Sequence, residues 1–281
     1  MSFDSLDGHF VVRLRGDLDL AAARRVLERL PVPGRPDRRV VIDLSGVPSI
    51  DLSGMRVLLA CQLRARLAGV TFALARVGSA VRGTFALSGL DGRFAIYPTV
   101  AAALKAHQAP NTPAGRDGTD VVDLIVADRT RIGQCCNELR AAARSGEPAG
   151  VLARKWAEVT RSIEDHLSAT DEVCLLAVLG TAPQAREQVR VIIDEHEEIL
   201  EVLREVGLQP PGSPSWWRMA DEAISLWEQL TEREALGVLT EFVLRADEAL
   251  HHRLGRQWQA FLAALDQDRR LHPGSHSDAS G

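Results

Sequence analysis

Two sets of side chains in this 281-residue chain are of types and spacings that could do chemistry. The first is Asp51-Leu52-Ser53-Gly54, which follows the apolar run at residues 38–50 and opens what reads as a helix. A serine hydroxyl at a helix start is a candidate phosphoacceptor, because the unpaired N–H groups and the positive end of the helix dipole tolerate a phosphate. Asp and Ser are also favoured there simply because they satisfy those donors. The second set is His166, Thr170, His196 and Asp247, all in register with core positions of helical stripes. Polar groups buried without partners are costly, so these four imply an inward-facing polar layer. In a helix bundle, such a layer is where a carboxylate and histidine metal site is built.

The remaining chemistry-bearing residues exclude more than they suggest. There is no phosphate-cradling glycine loop and no nucleophile and base constellation, so an enzyme is not expected. Cys61, Cys135, Cys136 and Cys174 form no CxxC pair and read as reduced, buried small hydrophobes. No segment approaches the roughly 18 apolar residues of a membrane span, and the N-terminus pairs no basic residues with an apolar core. A cytoplasmic protein is expected. Residues 1–107 hold 15 basic against 9 acidic residues, net +6, and the remainder holds 18 against 29, net −11. The arginines of the basic half are scattered among acids with no aromatic stacking set, which argues against direct nucleic-acid binding.

The elements that must position these residues divide into two kinds. "HFVVRLRG" alternates Phe10, Val12 and Leu14 with polar residues, as a half-buried strand does. Leu20, Ala23, Val26 or Leu27 and Leu30 predict a helix, with Asp17 and Asp19 near its start. "RRVVIDL" reads as a strand buried on both faces. Met55, Leu59, Leu63 and Leu67 then predict a helix closed by Gly69. "VTFALARV" and "RFAIYP" read as strands, "SAVRGTFALSG" and "TVAAALKAHQ" as helices. This alternation predicts an α/β domain over residues 1–107 with a mixed, mostly parallel sheet. A Pro- and Gly-rich linker over 108–119 follows.

From 120 to 265 the apolar pattern is helical throughout. Val121, Leu124, Ile125, Asp128, Ile132, Cys135 and Leu139 form one stripe, and Leu152, Trp156, Val159, Ile163, His166, Thr170 and Val173 a second. Val189, Ile192, His196, Ile199 and Leu203 form a third; Leu236, Leu239, Val243, Asp247, Leu250 and Leu254 form a fourth. Residues 210–230 read as a turn and a further short helix. Short connections favour antiparallel neighbours, so an all-α up-and-down four-helix bundle is expected, with a disordered tail over 266–281.

"LRGDLDLAAARRVLERL", "VVIDLSGVPSIDLSGMRVLL" and "VRGTFALSGL" resemble the STAS domain of anti-sigma factor antagonists over residues 8–106. That resemblance implies a module that binds an anti-sigma factor, itself a GHKL-type kinase, which phosphorylates a serine in D-S-[S/T/A]-G and ends the interaction. Asp51 matches the family's Asp and Gly54 its Gly, so the phosphoacceptor place holds Leu52. Ser53 lies one place later, turned about 100° around the helix. The expectation is that Asp51, Leu52, Ser53 and Gly54 form part of a partner-binding surface, with Ser53 a helix-starting residue; phosphorylation at Ser53 is the alternative.

"IVADRTRI", "IEDHLSATDEVCLLAVL", "IIDEHEEILEVL" and "FVLRADEALHHRL" resemble the four helices of hemerythrin-like (HHE) domains. That family implies a two-iron centre held by histidines and carboxylates. At the corresponding positions this chain has Arg129, His166, Thr170, His196, Val243 and Asp247, an incomplete ligand set. The expectation is a metal-free bundle with no cofactor, in which Arg129 replaces the metal charge and pairs with Asp247 or Asp171. Glu248 and His252, with His251 beside them, offer a displaced single-metal alternative.

Together these expectations describe a cytoplasmic regulatory binding protein whose partner is an anti-sigma factor or another sigma-regulatory protein, with the bundle as an interaction or sensory element. The alternative is an iron-binding sensor of oxygen, nitric oxide or redox state that signals through its STAS half. A third reading is an assembly protein whose opposite charges drive homo-oligomerisation.

Overall fold

A computed structural model describes residues 2–6, 9–19, 22, 25–26, 39–68, 70–90, 92–106, 119–181 and 183–271. They divide into two compact units: Met1–Asp117 with Thr231–Asp247, and Gly118–Leu230 with Glu248–Gly281. The return of residues 231–247 to the first unit differs from the uninterrupted helical domain expected over 120–265.

The first unit is built on a five-stranded sheet in the order β1 (Ser2–Leu6), β2 (His9–Arg15), β3 (Arg39–Gly46), β4 (Thr71–Ala75) and β5 (Ile96–Tyr97). Strands β2 to β5 are parallel, and β1, which the sequence reading did not mark, adds antiparallel to β2 from Ser2 opposite Arg13 to Leu6 opposite His9. Helices α1 (Leu52–Leu67), α2 (Ser79–Leu87) and α3 (Val100–Lys105) follow strands β3, β4 and β5. Val11, Val41, Ala73 and Ala75 face Ala103 of α3 and form one apolar layer. Alternation along the strands sends Val12, Val40, Ile42, Phe72 and Leu74, all buried, to the other face. Of the helix expected between β2 and β3, residues 22, 25 and 26 are helical and the rest lie outside the described residues, as does Gly69.

Helix α1 begins where it does for local reasons. Asp51 is its N-cap, with Oδ1 accepting from the Gly54 N–H at 2.8 Å. Leu18 and Ile50 form a parallel bridge beside it, and Leu18 N–H donates to the Ser49 carbonyl at 3.1 Å. A Cβ on Gly54 would stand 2.2 Å from the Leu18 carbonyl oxygen, so the glycine sets how closely the helix approaches this backbone.

Two helical pieces complete the first unit: the last turns of α8 (Pro214–Leu236) and the short α9 (Val238–Arg245). α9 packs against α1. The fourth stripe expected from 236 to 254 is therefore not one helix. It breaks at Ala246, whose backbone is extended, and α10 (Glu248–Leu271) begins anew. Helix α10 also runs into the segment that was expected to begin a tail at 266; residues 272–281 lie outside the described residues.

The second unit contains α4 (Val121–Arg144), α5 (Ala149–Ala169), a π-helical segment (Thr170–Leu175), α6 (Leu176–Thr181), a 3₁₀ turn (Pro183–Ala185), α7 (Arg186–Gly207), α8 up to Leu230, and α10. One core joins Ile132 and Leu139 of α4, Trp156 and Ile163 of α5, Ile199 and Leu203 of α7, and Trp216, Ile224 and Trp227 of α8. The supposed short helix at 210–230 is thus a full member of the four-helix core. Trp216, 1% exposed, packs edge-on against Trp156 at 5.7 Å. Helix α10 lies along α4 and α5 and buries His251, Leu254, Gly255 and Trp258. Among the described residues no helix is long and apolar enough to cross a membrane.

Two glycines separate steric need from helix propensity. Gly54→Ala must displace the Leu18 backbone and is expected to destabilise the protein by about 1–3 kcal/mol. Gly83 of α2 has nothing within 4 Å of its would-be Cβ, so Gly83→Ala is expected to stabilise by about 0.5–1 kcal/mol. Shifts of opposite sign in thermal unfolding midpoint check the pair.

Candidate functional site

In the first unit the site begins at the capped start of α1. Leu52, the first helical residue, is 49% exposed, while Ser53 is half-buried and Gly54 buried. The place where a phosphoacceptor is expected therefore carries an outward-facing leucine. Asp17 and Ser49 lie next to this start, with Ser49 Oγ donating to Asp17 Oδ1 at 2.5 Å. Along α1, Arg56 and Arg64 stand eight residues apart, with buried Ala60 between them. Arg56 Nη2 lies 2.5 Å from Glu241 Oε2, and Arg64 Nη2 lies 2.8 Å from Glu232 Oε1. These two arginines were not singled out from the sequence, because nothing local separates them from the other scattered basic residues.

The ends of the strands under α1 are braced by a buried acid. Asp43 of β3 has no solvent exposure and accepts from both Nε (3.0 Å) and Nη2 of Arg76. The Ser45 N–H donates to it at 3.0 Å, and Arg13 Nε of β2 is 3.6 Å away. Arg76 adopts φ 55°, a left-handed backbone uncommon for a residue with a side chain, immediately after β4. Burial alone would raise the Asp43 carboxyl, but its bonds from Arg76 and Ser45 outweigh that and hold it below the ordinary value. A depressed folded value means that ionised Asp43 stabilises the fold above the unfolded carboxylate range and that this is lost as pH falls through the folded value. Asp43→Asn is therefore expected to be less stable at neutral pH and to lose less stability on acidification below about pH 4. Urea titrations at a series of pH values measure both.

In the second unit three buried histidines each meet an aspartate at Nδ1. His166 of α5 bonds Asp128 of α4 at 2.7 Å, His196 of α7 bonds Asp171 at 2.8 Å, and His251 of α10 faces Asp120 at 3.3 Å. Asp120 is also the N-cap of α4, accepting from the Val122 N–H at 2.9 Å. Trp227 and Trp258 pack edge-on against the His166 ring at 5.1 and 5.3 Å. Arg129, 4% exposed, donates from Nε to His166 Nε2 at 3.1 Å. The imidazole must present a lone pair there, so its proton sits on Nδ1 and points at Asp128. Burial pushes the Asp128 carboxyl up, but bonds from His166 and Arg131 outweigh that and its value is lowered.

The sequence-expected ligand positions separate accordingly. His166 and His196 are in the layer, and Arg129 reaches His166. Asp171 serves His196 rather than Arg129, correcting one proposed pairing. Thr170 turns its hydroxyl back to the His166 carbonyl at 2.9 Å, where the helix widens into its π-helical segment. Val243 is buried in the first unit, and Asp247 is an exposed residue of the same unit. His252 bonds Thr119 Oγ1 through Nδ1 at 2.8 Å, and Glu248 stands 3.7 Å from its Nε2. The His251–Asp120 pair was missed. Asp120 stands at the first position of the expected helical domain, just before the first apolar stripe, and the supposed continuity of the fourth stripe drew attention to Asp247.

These residues do not fit a two-iron centre. Arg129 takes the His166 lone pair that a metal would need, and Thr170 is committed to its own helix. Among the described residues no three His, Cys, Asp or Glu side chains gather as a metal-binding group. Each of the three histidines instead faces an aspartate at Nδ1. Replacing His166 by Leu would leave Arg129 and Asp128 facing each other without their shared partner, with an expected loss of about 3–5 kcal/mol. The half-buried His252→Leu should change stability far less, and chemical denaturation of both variants tests the difference.

Comparison with known proteins bears on one unit. The family model of the STAS domain matches residues 1–103. No hemerythrin-like family matches the helical region, so that resemblance is confined to the residue pattern. No curated protein matches the chain.

Proposed function

We propose that the STAS domain of residues 1–103 makes this chain a regulatory binding protein, anti-sigma factor antagonist-like, acting by protein–protein contact and without chemistry of its own. The observation that carries the reading is the start of α1. Asp51 caps the helix, Gly54 seats it against the Leu18 carbonyl, and an exposed Leu52 stands where the STAS resemblance places the phosphoacceptor. Such a surface binds without the standard serine switch. Ser53, one residue on and half-buried, acts as a helix-starting residue. The partner is an anti-sigma factor or another sigma-regulatory protein of the cytoplasm, and the helical unit serves as an interaction element.

Recovery of the full-length protein from its own cells tests this. The expected result is co-purification of a sigma-regulatory protein with Ser53 unmodified. Recovery with no such protein, or with Ser53 phosphorylated on most chains, contradicts it. Iron analysis of the same sample decides the other reading. Stoichiometric iron would establish a sensor in place of the metal-free helical unit, against the Arg129–His166 contact.

A further inference from the structure

We propose that the outer face of α1 is a receptor for an acidic amphipathic helix, and that residues 231–247 of this chain are its resident ligand, which a partner of the same chemistry displaces. The inference rests on the reading of α1 as the partner-binding face.

The receptor is the stripe Arg56, Ala60, Arg64, spaced four residues apart on one side of α1. The ligand runs antiparallel to it. Glu241 pairs with Arg56 at the start of α1, and Glu232 pairs with Arg64 two turns later. Val238 and Leu239, between these acids, and Phe242 and Val243, just beyond Glu241, are all buried. Glu241 is held in place from its own side by an ion pair with Arg245. Four acids against two bases leave residues 231–247 net negative, opposite to the arginines they meet.

Three observations describe a separable piece. α9 is eight residues long, a length that is marginal as a helix without a surface to dock on. Joints bound it on both sides: Gly237 at φ −111°, ψ −100° and Ala246 with extended backbone. Each ion pair is open to solvent on one side, with the Arg56 side chain 42% and the Glu232 side chain 53% exposed against 13% for Glu241 and 19% for Arg64. Pairs of that kind fix register more than they add affinity, which suits a contact that must yield.

A fluorescein-labelled peptide of residues 231–247, added to the full-length protein, is the probe. Wild type, with its face filled, is expected to bind it weakly. Glu232→Lys with Glu241→Lys weakens the resident contact and is expected to raise peptide affinity by about tenfold. Adding Arg56→Glu and Arg64→Glu is expected to remove that gain. Equal binding by wild type and the double variant, or binding indifferent to the arginine substitutions, overturns the proposal.

A second measurement needs no variant. Amide exchange in residues 238–245 of wild type should accelerate severalfold between about 50 mM and about 500 mM salt while that of β3 stays constant. Exchange that ignores salt and follows β3 marks a fixed part of the fold and also overturns the proposal. Neither assay uses a partner, so both can succeed or fail independently of whether the protein binds a sigma-regulatory protein.

Discussion

The approach of Gly54 to the Leu18 carbonyl is the constraint around which the first unit is arranged. A side chain at that position would collide with backbone on one side and with Ile50 on the other. Because it has none, the first turn of α1 seats against the loop that follows β2, and Asp51 caps the helix from the end of the β3 crossover. The orientation of every later α1 residue follows from that seating. Leu52 faces solvent, Ser53 is half-buried, and Arg56 and Arg64 fall on the outer side. The buried Asp43, gripped by Arg76, steadies the strand ends on which this helix start rests.

The helical unit brings three buried histidines against aspartates on neighbouring segments. A buried imidazole needs a partner at each nitrogen, and an aspartate at Nδ1 is the same partner that orients metal-bound histidines. Here the other nitrogen of His166 is met by Arg129. Trp227 and Trp258 close the site around the ring.

Much of the first unit was legible in the sequence because parallel α/β units carry two distinct periods. β3 reads as a continuous apolar run, α1 as leucines four apart, and "DLSG" as a capped helix start. Strand β1 was not legible, since "SFDSL" has neither a long apolar run nor clean alternation. In the helical half His166 and His196 were found by their register with core positions. The break at Ala246 was not, because residues 236–254 keep helical spacing across it. No glycine or proline marks that joint, and the packing of α9 on α1 is a tertiary contact that local spacing does not encode.

The central claim is that partners are received on the outer face of α1, where residues 231–247 now lie. Hydrogen exchange of the full-length protein, free and in complex with a partner recovered from its cells, addresses this most directly. The account predicts that binding protects residues 52–66 and at the same time exposes residues 238–245. Protection confined to the helical unit, with both segments unchanged, would contradict it.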